Sequence, residues 1–450
     1  MMSAAERRSK IAAVVRVASG NFVEMYDFMV YGYYAKYIGD TFFPRVDPFA
    51  SLMLSLVTFG AGYLMRPLGA VVLGAYIDRH GRRRGLLLTL GLMAIGTATI
   101  ALTPGYARIG VAAPLIVVAG RLLQGLSAGV ELGGVSVYLA EIATPGRRGF
   151  YCAWQSGSQQ VAVMFAALIG VVLSFTVPPS EMSVWGWRAP LIIGCLIIPL
   201  IFWLRGSLKE TEVFLRRRSQ PTVAALLSMV ASNWRVILMG MMLSIFTTTS
   251  FYLITAYTPT FGREALKLGA LESMLVTLFV GASNFLWLPV GGALSDRFGR
   301  RTPLYAIPIL AILTAYPVLA WLVAAPTFGK LLSAQLWISM MFGLYNGAMV
   351  PRLAELVEPR VRTAAFALAF SLATAIFGGF TPAMATYLIH ETGNKAAPAL
   401  WLMLSAAISL IGAFLSRNLG IGVHDGFEVE APEVQAAPGP ARPQNAGVRG

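Results

Sequence analysis

Two carboxylates stand three residues apart inside the first long apolar segment of the chain. Glu24 and Asp27 lie in the stretch SGNFVEMYDFMVYG, which begins at Ser19. A carboxylate near the middle of a membrane helix costs roughly 2.5–3.5 kcal/mol on insertion scales. On a helix, Glu24, Asp27 and Tyr31 share one face. We therefore predict that Asp27 and Glu24 bind and release protons as coupling residues, although Glu24 could equally be a structural partner.

Two arginines lie within apolar segments, where they could neutralise these acids. At a rise of ~1.5 Å per residue, Arg121 in the fourth segment reaches nearly the depth of Asp27. We predict an Asp27–Arg121 pair near the midplane, in which protonation of Asp27 releases Arg121 for a substrate carboxylate. Arg66 and Glu131 are predicted near the cytoplasmic edge as an inner gate. Either pair could instead serve folding alone.

Further polar side chains fall on helical faces that could line a cavity, and for the seventh segment packing explains them as well as ligand contact. A ligand with several carboxylates would need more positive charge than one deep arginine supplies. A partly protonated substrate, helix dipoles with hydroxyl groups, or a deeper Arg66 would each meet this need. The candidate substrate-binding residues are Arg121, Tyr31, Gln124, Gln155, Ser158, Gln159, Thr248, Tyr252 and Tyr257.

The composition indicates a protein that lies in a membrane. Of its 450 residues, 56% are hydrophobic and 12% are charged, and the mean hydropathy is +0.67. A soluble domain has about 25% charged residues. The formal net charge of +14 comes from Lys and Arg scattered over short loops, which favours a lipid bilayer as the partner and not nucleic acid. The two Cys and three His have no metal-ligand spacing, so we predict no metal and no cofactor.

Twelve apolar segments are candidates to cross the membrane. Lys and Arg concentrate in alternate gaps between them, which by the positive-inside rule places both termini in the cytoplasm. The predicted fold is therefore an all-α membrane protein with twelve transmembrane helices in two pseudo-symmetric six-helix halves. The segments are 17–38, 51–76, 86–103, 113–140, 151–175, 188–204, 234–258, 270–294, 303–324, 331–351, 362–388 and 398–416.

The longest gap divides the chain into its predicted parts. It contains a run of charged residues and is predicted to be a cytoplasmic linker, whereas the end of the chain is rich in Pro, Ala and Gly and is predicted to be disordered. The parts are a cytoplasmic N-terminal segment (1–16), an N-terminal half (17–204), the linker (205–233), a C-terminal half (234–417) and a cytoplasmic tail (418–450).

A short pattern recurs in both halves. GAYIDRHGRRR and GGALSDRFGRR share D-R-x-G-R-R, and AEIATPGRRG and AELVEPRVRT share a second pattern at nearly the same offset. Duplicated halves with a site between them are a general transporter arrangement. The candidate gating residues are Arg66, Glu131, Asp78, Arg79, Arg82, Asp296, Arg297 and Arg300.

These patterns resemble the major facilitator superfamily, whose signature loop is G-x-x-x-D-R-x-G-R-[RK]. The chain carries it from Gly74 to Arg83 and again from Gly292 to Arg301, and the resemblance covers roughly residues 14–417. GNFVEMYDFMVYG, GRLLQGLSAGVELGGVSVYLAEIATPGRRGFY and WGWRAPLIIGCLIIPL are similar to the metabolite–proton symporter branch, and within it to bacterial citrate–proton and tricarballylate transporters.

The resemblance implies uptake of citrate or tricarballylate with protons, in preference to sodium, by alternating access. It also implies a monomer in the bacterial cytoplasmic (inner) membrane. Two alternatives stay open: a proton symporter for another organic acid or a zwitterionic osmolyte, and a membrane-embedded enzyme or sensor. Against the enzyme, the sequence has no histidine cluster, nucleophile elbow or phosphate loop, so we predict no catalytic residues.

Overall fold

The computed structural model describes residues 21–44, 47–80, 82–129, 136, 139, 140, 142–144, 146–206, 228, 231–356 and 362–418. These residues form helices joined by short turns, and strands are absent from them. Twelve helical segments follow one another in the described chain and correspond in order to the twelve predicted spans. Span 4 is described only in its first part. Most of the predicted linker lies outside the described residues, so the bounds of the predicted parts stay predictions.

The spans of the first half and of the second half have the following bounds. Span 1 is Asn21–Tyr33 with Ala35–Phe42, span 2 is Pro48–His80, span 3 is Arg82–Leu102, span 4 is Ala112–Ala128, span 5 is Arg148–Thr176 and span 6 is Ala189–Gly206. Span 7 is Trp234–Ile254, span 8 is Ala270–Phe298, span 9 is Arg301–Ala324, span 10 is Phe328–Glu355, span 11 is Arg362–Ala373 with Thr374–Gly378 and Thr381–Thr392, and span 12 is Pro398–Leu415.

Hydrophobicity explains why most of these segments are helices that cross a membrane. A backbone in lipid must satisfy its own hydrogen bonds, and a helix does so within one segment. Seven of the described helices are long and apolar enough to cross alone, among them spans 2, 5, 7 and 8. Span 10 is more polar, and its residues between Phe342 and Val350 are nearly all buried. Its polar residues therefore face the interior of the bundle and not lipid.

The packing of the spans repeats from one half to the other. Span 1 packs on spans 5 and 6, span 2 on span 4, and span 3 on spans 4 and 6. Six spans later, span 7 packs on spans 11 and 12, span 8 on span 10, and span 9 on spans 10 and 12. Between the halves, span 5 packs on span 8 and span 2 packs on span 11. The two halves are thus related by a pseudo-twofold axis, with a shared cavity between them.

Glycines bring the backbones of spans 2 and 4 into direct contact. A Cβ on Gly125 would stand 1.6 Å from the carbonyl oxygen of Gly62, and a Cβ on Gly129 would stand 2.2 Å from the carbonyl oxygen of Arg66. Small residues are the usual means of close helix approach in membranes. This contact fixes Arg66 and Arg121, which project from the same two helices.

Replacing Gly125 by Ala should destabilise the protein because backbone atoms of span 2 occupy the space that the new methyl group needs. Overpacking costs typically 1–3 kcal/mol, so the melting temperature of the protein in detergent should fall clearly. The matched control is Gly91→Ala in span 3, where a Cβ meets no atom within 4 Å. Equal melting temperatures for the two variants would contradict the close contact.

Candidate functional site

A small cavity lies between the two halves, in the middle of the bundle. Its walls come from spans 1, 2 and 5 of the first half and from spans 7, 10 and 11 of the second. The cavity volume is about 20 Å³, room for about one water molecule. A metabolite therefore enters only when the walls move apart. The lining residues are Met25, Arg66, Ser156, Gln159, Thr247, Thr248, Phe251, Tyr252, Phe342, Asn346, Phe370 and Thr374.

Arg66 is the one cation among these lining residues, and it is held by Glu24 of span 1. The Nη2 atom of Arg66 donates to the Oε1 atom of Glu24 at 2.5 Å, and the two side chains are only 1% and 4% exposed. The guanidinium also lies 4.7 Å from the ring centre of Tyr63 and 5.0 Å from that of Phe28. Its Nε atom has no hydrogen-bond partner. The Nε–H group of Arg66 can therefore donate a hydrogen bond to an anionic or polar ligand.

Arg66 lies in a helix that is longer than its predicted span. The sequence predicts Arg66 near the cytoplasmic edge, within the predicted span 51–76. Span 2 has 33 residues and is about 50 Å long, well beyond a ~30 Å hydrocarbon core. Arg66 consequently lies near the middle of the helix and in the cavity wall. Its predicted partner Glu131 lies outside the described residues, so the predicted inner gate of these two residues stays a prediction.

The predicted direct pair between Asp27 and Arg121 is wrong. Within the described chain, the Oδ2 atom of Asp27 accepts from the hydroxyl of Thr97 at 2.5 Å. The Nε2 atom of Gln124 donates to the same hydroxyl at 2.9 Å, and Nη1 of Arg121 donates to Oε1 of Gln124 at 2.8 Å. Two polar side chains thus stand between the acid and the arginine. A depth estimated from the sequence does not give the direction in which a side chain points.

Arg121 is buried beneath a layer of aromatic rings. Its guanidinium lies 4.4 Å from the ring centres of both Phe28 and Tyr31 and 5.2 Å from that of Phe59. Cation–π contacts of this kind partly replace the lost hydration of the guanidinium. Nη2 of Arg121 also donates to the Phe59 carbonyl at 3.2 Å. Because Phe28 contacts both Arg66 and Arg121, two positive charges lie close together on one side of the cavity.

The other predicted binding residues divide into three groups. Gln159, Thr248 and Tyr252 line the cavity, whereas Tyr31 and Gln124 belong to the cluster around Arg121. The remaining three are not part of the lining. Gln155 accepts a hydrogen bond from Ser156, Ser158 donates to the carbonyl of Gln155, and Tyr257 accepts one from Thr386.

Sequence reasoning missed several cavity residues and the link to Asp27. Asn346 and Thr374 lie on spans 10 and 11, and Thr97 lies on span 3. Each is one of several polar residues in its span, which is a weak signal because most such side chains bond within their own helix or pack against a neighbour. Among the lining residues, Thr247 Oγ1 and Asn346 Oδ1 have no hydrogen-bond partner. These two atoms are therefore available to a ligand.

The second D-R-x-G-R-R sequence joins the two halves at one end of the molecule, here called the signature end. Asp296 of span 8 accepts from the backbone N–H groups of Gly149 and Phe150 at 2.8 and 2.9 Å. These groups begin span 5 of the other half, where the positive end of the helix dipole favours an anion. Asp296 also pairs with Arg300 at 2.6 Å, and Arg300 pairs with Glu355 at 3.3 Å.

The structure gives less detail for the other predicted gating residues of the two signature sequences. Arg297 lies near the surface of the signature end with its guanidinium 5.3 Å from the ring centre of Phe298. Asp78, Arg79 and Arg82 lie at the end of span 2 and the start of span 3, and their side chains are outside the described part of the structure. Their gating role stays a prediction.

Spans 5 and 8 touch through their backbones beside Asp296. A Cβ on Gly149 would stand 2.4 Å from the carbonyl oxygen of Gly292, and one on Gly292 would stand 2.3 Å from that of Gly149. The halves also meet at the opposite end of the molecule. There the rings of Phe49 and His390 stack at 3.7 Å, joining spans 2 and 11. The halves therefore contact each other at both ends of the molecule.

Replacing Asp296 by Asn should loosen the signature end because the charge-assisted bonds to span 5 are lost. Such bonds contribute about 1.5–3 kcal/mol each. The population of the form that is open at the signature end should therefore rise at least about tenfold. The measurement is the rate at which a water-soluble maleimide labels a cysteine introduced at Ser156, a cavity residue, in a variant that lacks Cys152 and Cys195.

The matched control is Glu272→Gln. Glu272 accepts from the backbone N–H of Gly269 and so caps the start of its own helix without joining the halves. We expect the labelling rate of this control to equal that of the parent protein. An unchanged rate in Asp296→Asn would show that Asp296 does not hold the two halves together.

Comparison with known proteins agrees with this architecture. The family model described as Major Facilitator Superfamily matches residues 17–382. The chain is 58% identical to a protein of Salmonella typhi named citrate-proton symporter, over 90% of this chain and 94% of that protein. It is 56% identical to a citrate-proton symporter of Klebsiella pneumoniae, over 94% and 95%. It is 31% identical to the alpha-ketoglutarate permease of Escherichia coli K12, over 94% and 97%.

A solved structure has the same fold at low sequence identity. The xylose transporter XylE from E. coli, in a partially occluded inward open conformation, superposes with a TM-score of 0.71. Its identity is 19%, and the match covers 91% of this chain and 97% of XylE. The fold is all-helical, with twelve transmembrane helices in two pseudo-symmetric halves of six. The chain belongs to the Major Facilitator Superfamily.

Proposed function

We propose that this chain carries citrate into the cell together with protons, as a secondary active transporter that works by alternating access. Two relatives named citrate-proton symporters, which are more than half identical over nine-tenths of the chain, support this substrate. Two buried guanidinium groups on the same side of one cavity also favour a polyanion over a neutral or zwitterionic solute.

The observation that carries the mechanism is the Glu24–Arg66 pair in the cavity wall. A citrate carboxylate that enters the cavity competes with Glu24 for Arg66, whose planar fork binds a carboxylate with two parallel hydrogen bonds. Glu24 then loses a buried cation, and a buried carboxylate in that position favours its protonated form. Citrate binding at Arg66 and proton binding at Glu24 therefore support each other.

The remaining lining residues supply neutral hydrogen-bond groups for the rest of citrate. Gln159 of span 5, Thr247 of span 7 and Asn346 of span 10 come from both halves. A ligand that bonds to all of them joins the halves around itself. Once the second and third citrate carboxylates bind there, the cavity can close at either end with the ligand enclosed, as alternating access requires.

Asp27 provides a second proton site in this proposal, and Arg121 adds positive charge behind the ring of Phe28. The signature end faces the cytoplasm, because the basic gaps of the sequence lie at that end, and both termini lie on the same side. The transporter acts as a monomer in the bacterial cytoplasmic membrane and uses protons in place of sodium.

The proposal is tested with purified protein in liposomes. Uptake of labelled citrate should follow an imposed pH gradient, inside alkaline, and should not respond to a sodium gradient. Unlabelled tricarballylate, alpha-ketoglutarate and betaine are added as competitors to identify the substrate class. Uptake that depends on sodium, or that betaine blocks while tricarballylate does not, would contradict proton-coupled citrate transport.

A further inference from the structure

Asp27 is a residue of span 1 whose side chain does not line the cavity. It is completely buried. Its Oδ2 atom contacts Thr97 of span 3. Its Oδ1 atom has no hydrogen-bond partner and faces Gly194 of span 6, where a Cβ would stand 2.8 Å away. A proton on Asp27 is therefore held at a site separate from the cavity that contains Arg66.

The hydroxyl of Thr97 has two acceptors within reach and one donor. It lies 2.5 Å from Oδ2 of Asp27 and 3.0 Å from the carbonyl oxygen of Met93, and it receives an N–H of Gln124 at 2.9 Å. A hydroxyl carries one proton and two lone pairs. Thr97 can therefore donate to only one of the two acceptors at a time, and it keeps one lone pair free for a further donor.

We propose that Thr97 is a positioning residue that lets Asp27 exist in both protonation states without a change in the positions of the heavy atoms. The inference rests on the proposed proton-coupled function. When Asp27 is ionised, the Thr97 hydroxyl donates to Oδ2. When a proton binds to Oδ2, that new O–H donates to the Thr97 oxygen, and Thr97 turns its own proton to the carbonyl of Met93. Each hydrogen bond that is lost is replaced, and no proton leaves Thr97.

The same hydroxyl connects Asp27 to Arg121. Gln124 donates to Thr97 with its amide N–H and accepts from Arg121 with its amide oxygen. An ionised Asp27 polarises this chain and strengthens the hold of Gln124 on Arg121, whereas a neutral Asp27 weakens it. The other groups that interact electrostatically with Asp27 are Tyr26 of span 1 and Cys195 of span 6. Among the described residues, the cation that interacts with Asp27 is Arg121.

The test replaces Thr97 by Val, which has the same shape without the hydroxyl, in the full-length protein in liposomes. The ionised Asp27 then loses a charge-assisted hydrogen bond and the protonated Asp27 loses a weaker neutral one, so half-maximal citrate uptake should move upward by about one pH unit. Thr97→Ser keeps the hydroxyl and should retain the parent pH profile. The matched control is Thr99→Val, because Thr99 also donates to a carbonyl four residues earlier but does not contact Asp27.

The outcomes separate this inference from the proposed function. If the parent protein takes up citrate under a pH gradient and Thr97→Val has the parent pH profile, the role of Thr97 is refuted while the transport proposal stands. If the parent protein does not accumulate citrate, the transport proposal fails first. Should Thr97→Val not fold, Thr97→Cys replaces it, because a thiol is only a weak donor, and the same upward shift is expected.

Discussion

Replacing Arg66 by Gln should lower citrate uptake at least about 100-fold. The change removes the one cation among the lining residues of the cavity and leaves Glu24 without its buried arginine. Removal of one partner of a buried ion pair typically costs 3–5 kcal/mol, so the yield of folded protein should also fall. The measurement is initial citrate uptake in liposomes, normalised to the amount of folded protein.

The double variant Glu24→Gln/Arg66→Gln separates stability from function. It removes both charges and lets two amides hydrogen-bond in their place, so the yield of folded protein should recover while uptake stays low. Arg188→Gln is the matched control for loss of an arginine, because Arg188 bonds to the carbonyls of Ala101 and Thr103 away from the cavity. Uptake within threefold of the parent in Arg66→Gln would mean that citrate does not bind at this arginine.

Replacing Asp27 by Asn should uncouple one proton from each citrate that is carried. Asn still accepts a hydrogen bond from Thr97 but has no carboxylate to protonate. Each coupled proton contributes 1.36 kcal/mol per pH unit of gradient, so the steady-state accumulation of citrate should fall about tenfold at a gradient of one pH unit. Exchange of labelled for unlabelled citrate should continue, because exchange needs no net proton movement.

The matched control for this change is Asp40→Asn on the same span. Asp40 pairs with Lys36 four residues away, and both side chains are partly exposed. Its replacement should leave both accumulation and exchange at the parent level. Full accumulation in Asp27→Asn, with exchange intact, would assign all of the coupling to another residue and leave Glu24 as the first candidate.

The fold could be predicted from the sequence because it depends on properties that a sequence displays directly. Apolar segments of about 20 residues mark the spans, and a duplicated D-R-x-G-R-R marks the two halves. The predicted segments and the observed helices agree in order and number across the described residues. The starts and ends differ by a few residues, as at span 2, where the helix continues past the predicted end at residue 76 to His80.

The site was less predictable because it depends on where side chains point. The sequence identified Glu24, Asp27, Arg66 and Arg121 as buried charges, and the structure brings all four into the first half around span 1. It pairs them differently, with Arg66 on Glu24 and Thr97 on Asp27. Helical periodicity identifies which residues share a face of a helix. The rotamer of each side chain then determines which residue it contacts. The role of Thr97 could be recognised only from the distance between its hydroxyl in span 3 and Asp27 in span 1.

The backbone contact of Gly149 with Gly292 limits the way in which the signature end can open. A shear of one helix along the other would push Phe150 or Ala293 into a gap with no room for a Cβ. We therefore expect spans 5 and 8 to separate by a hinge motion in which both bonds of Asp296 to span 5 break in the same step. We expect this geometry to disfavour partly opened intermediates. Protons could leak through such intermediates without a transported solute.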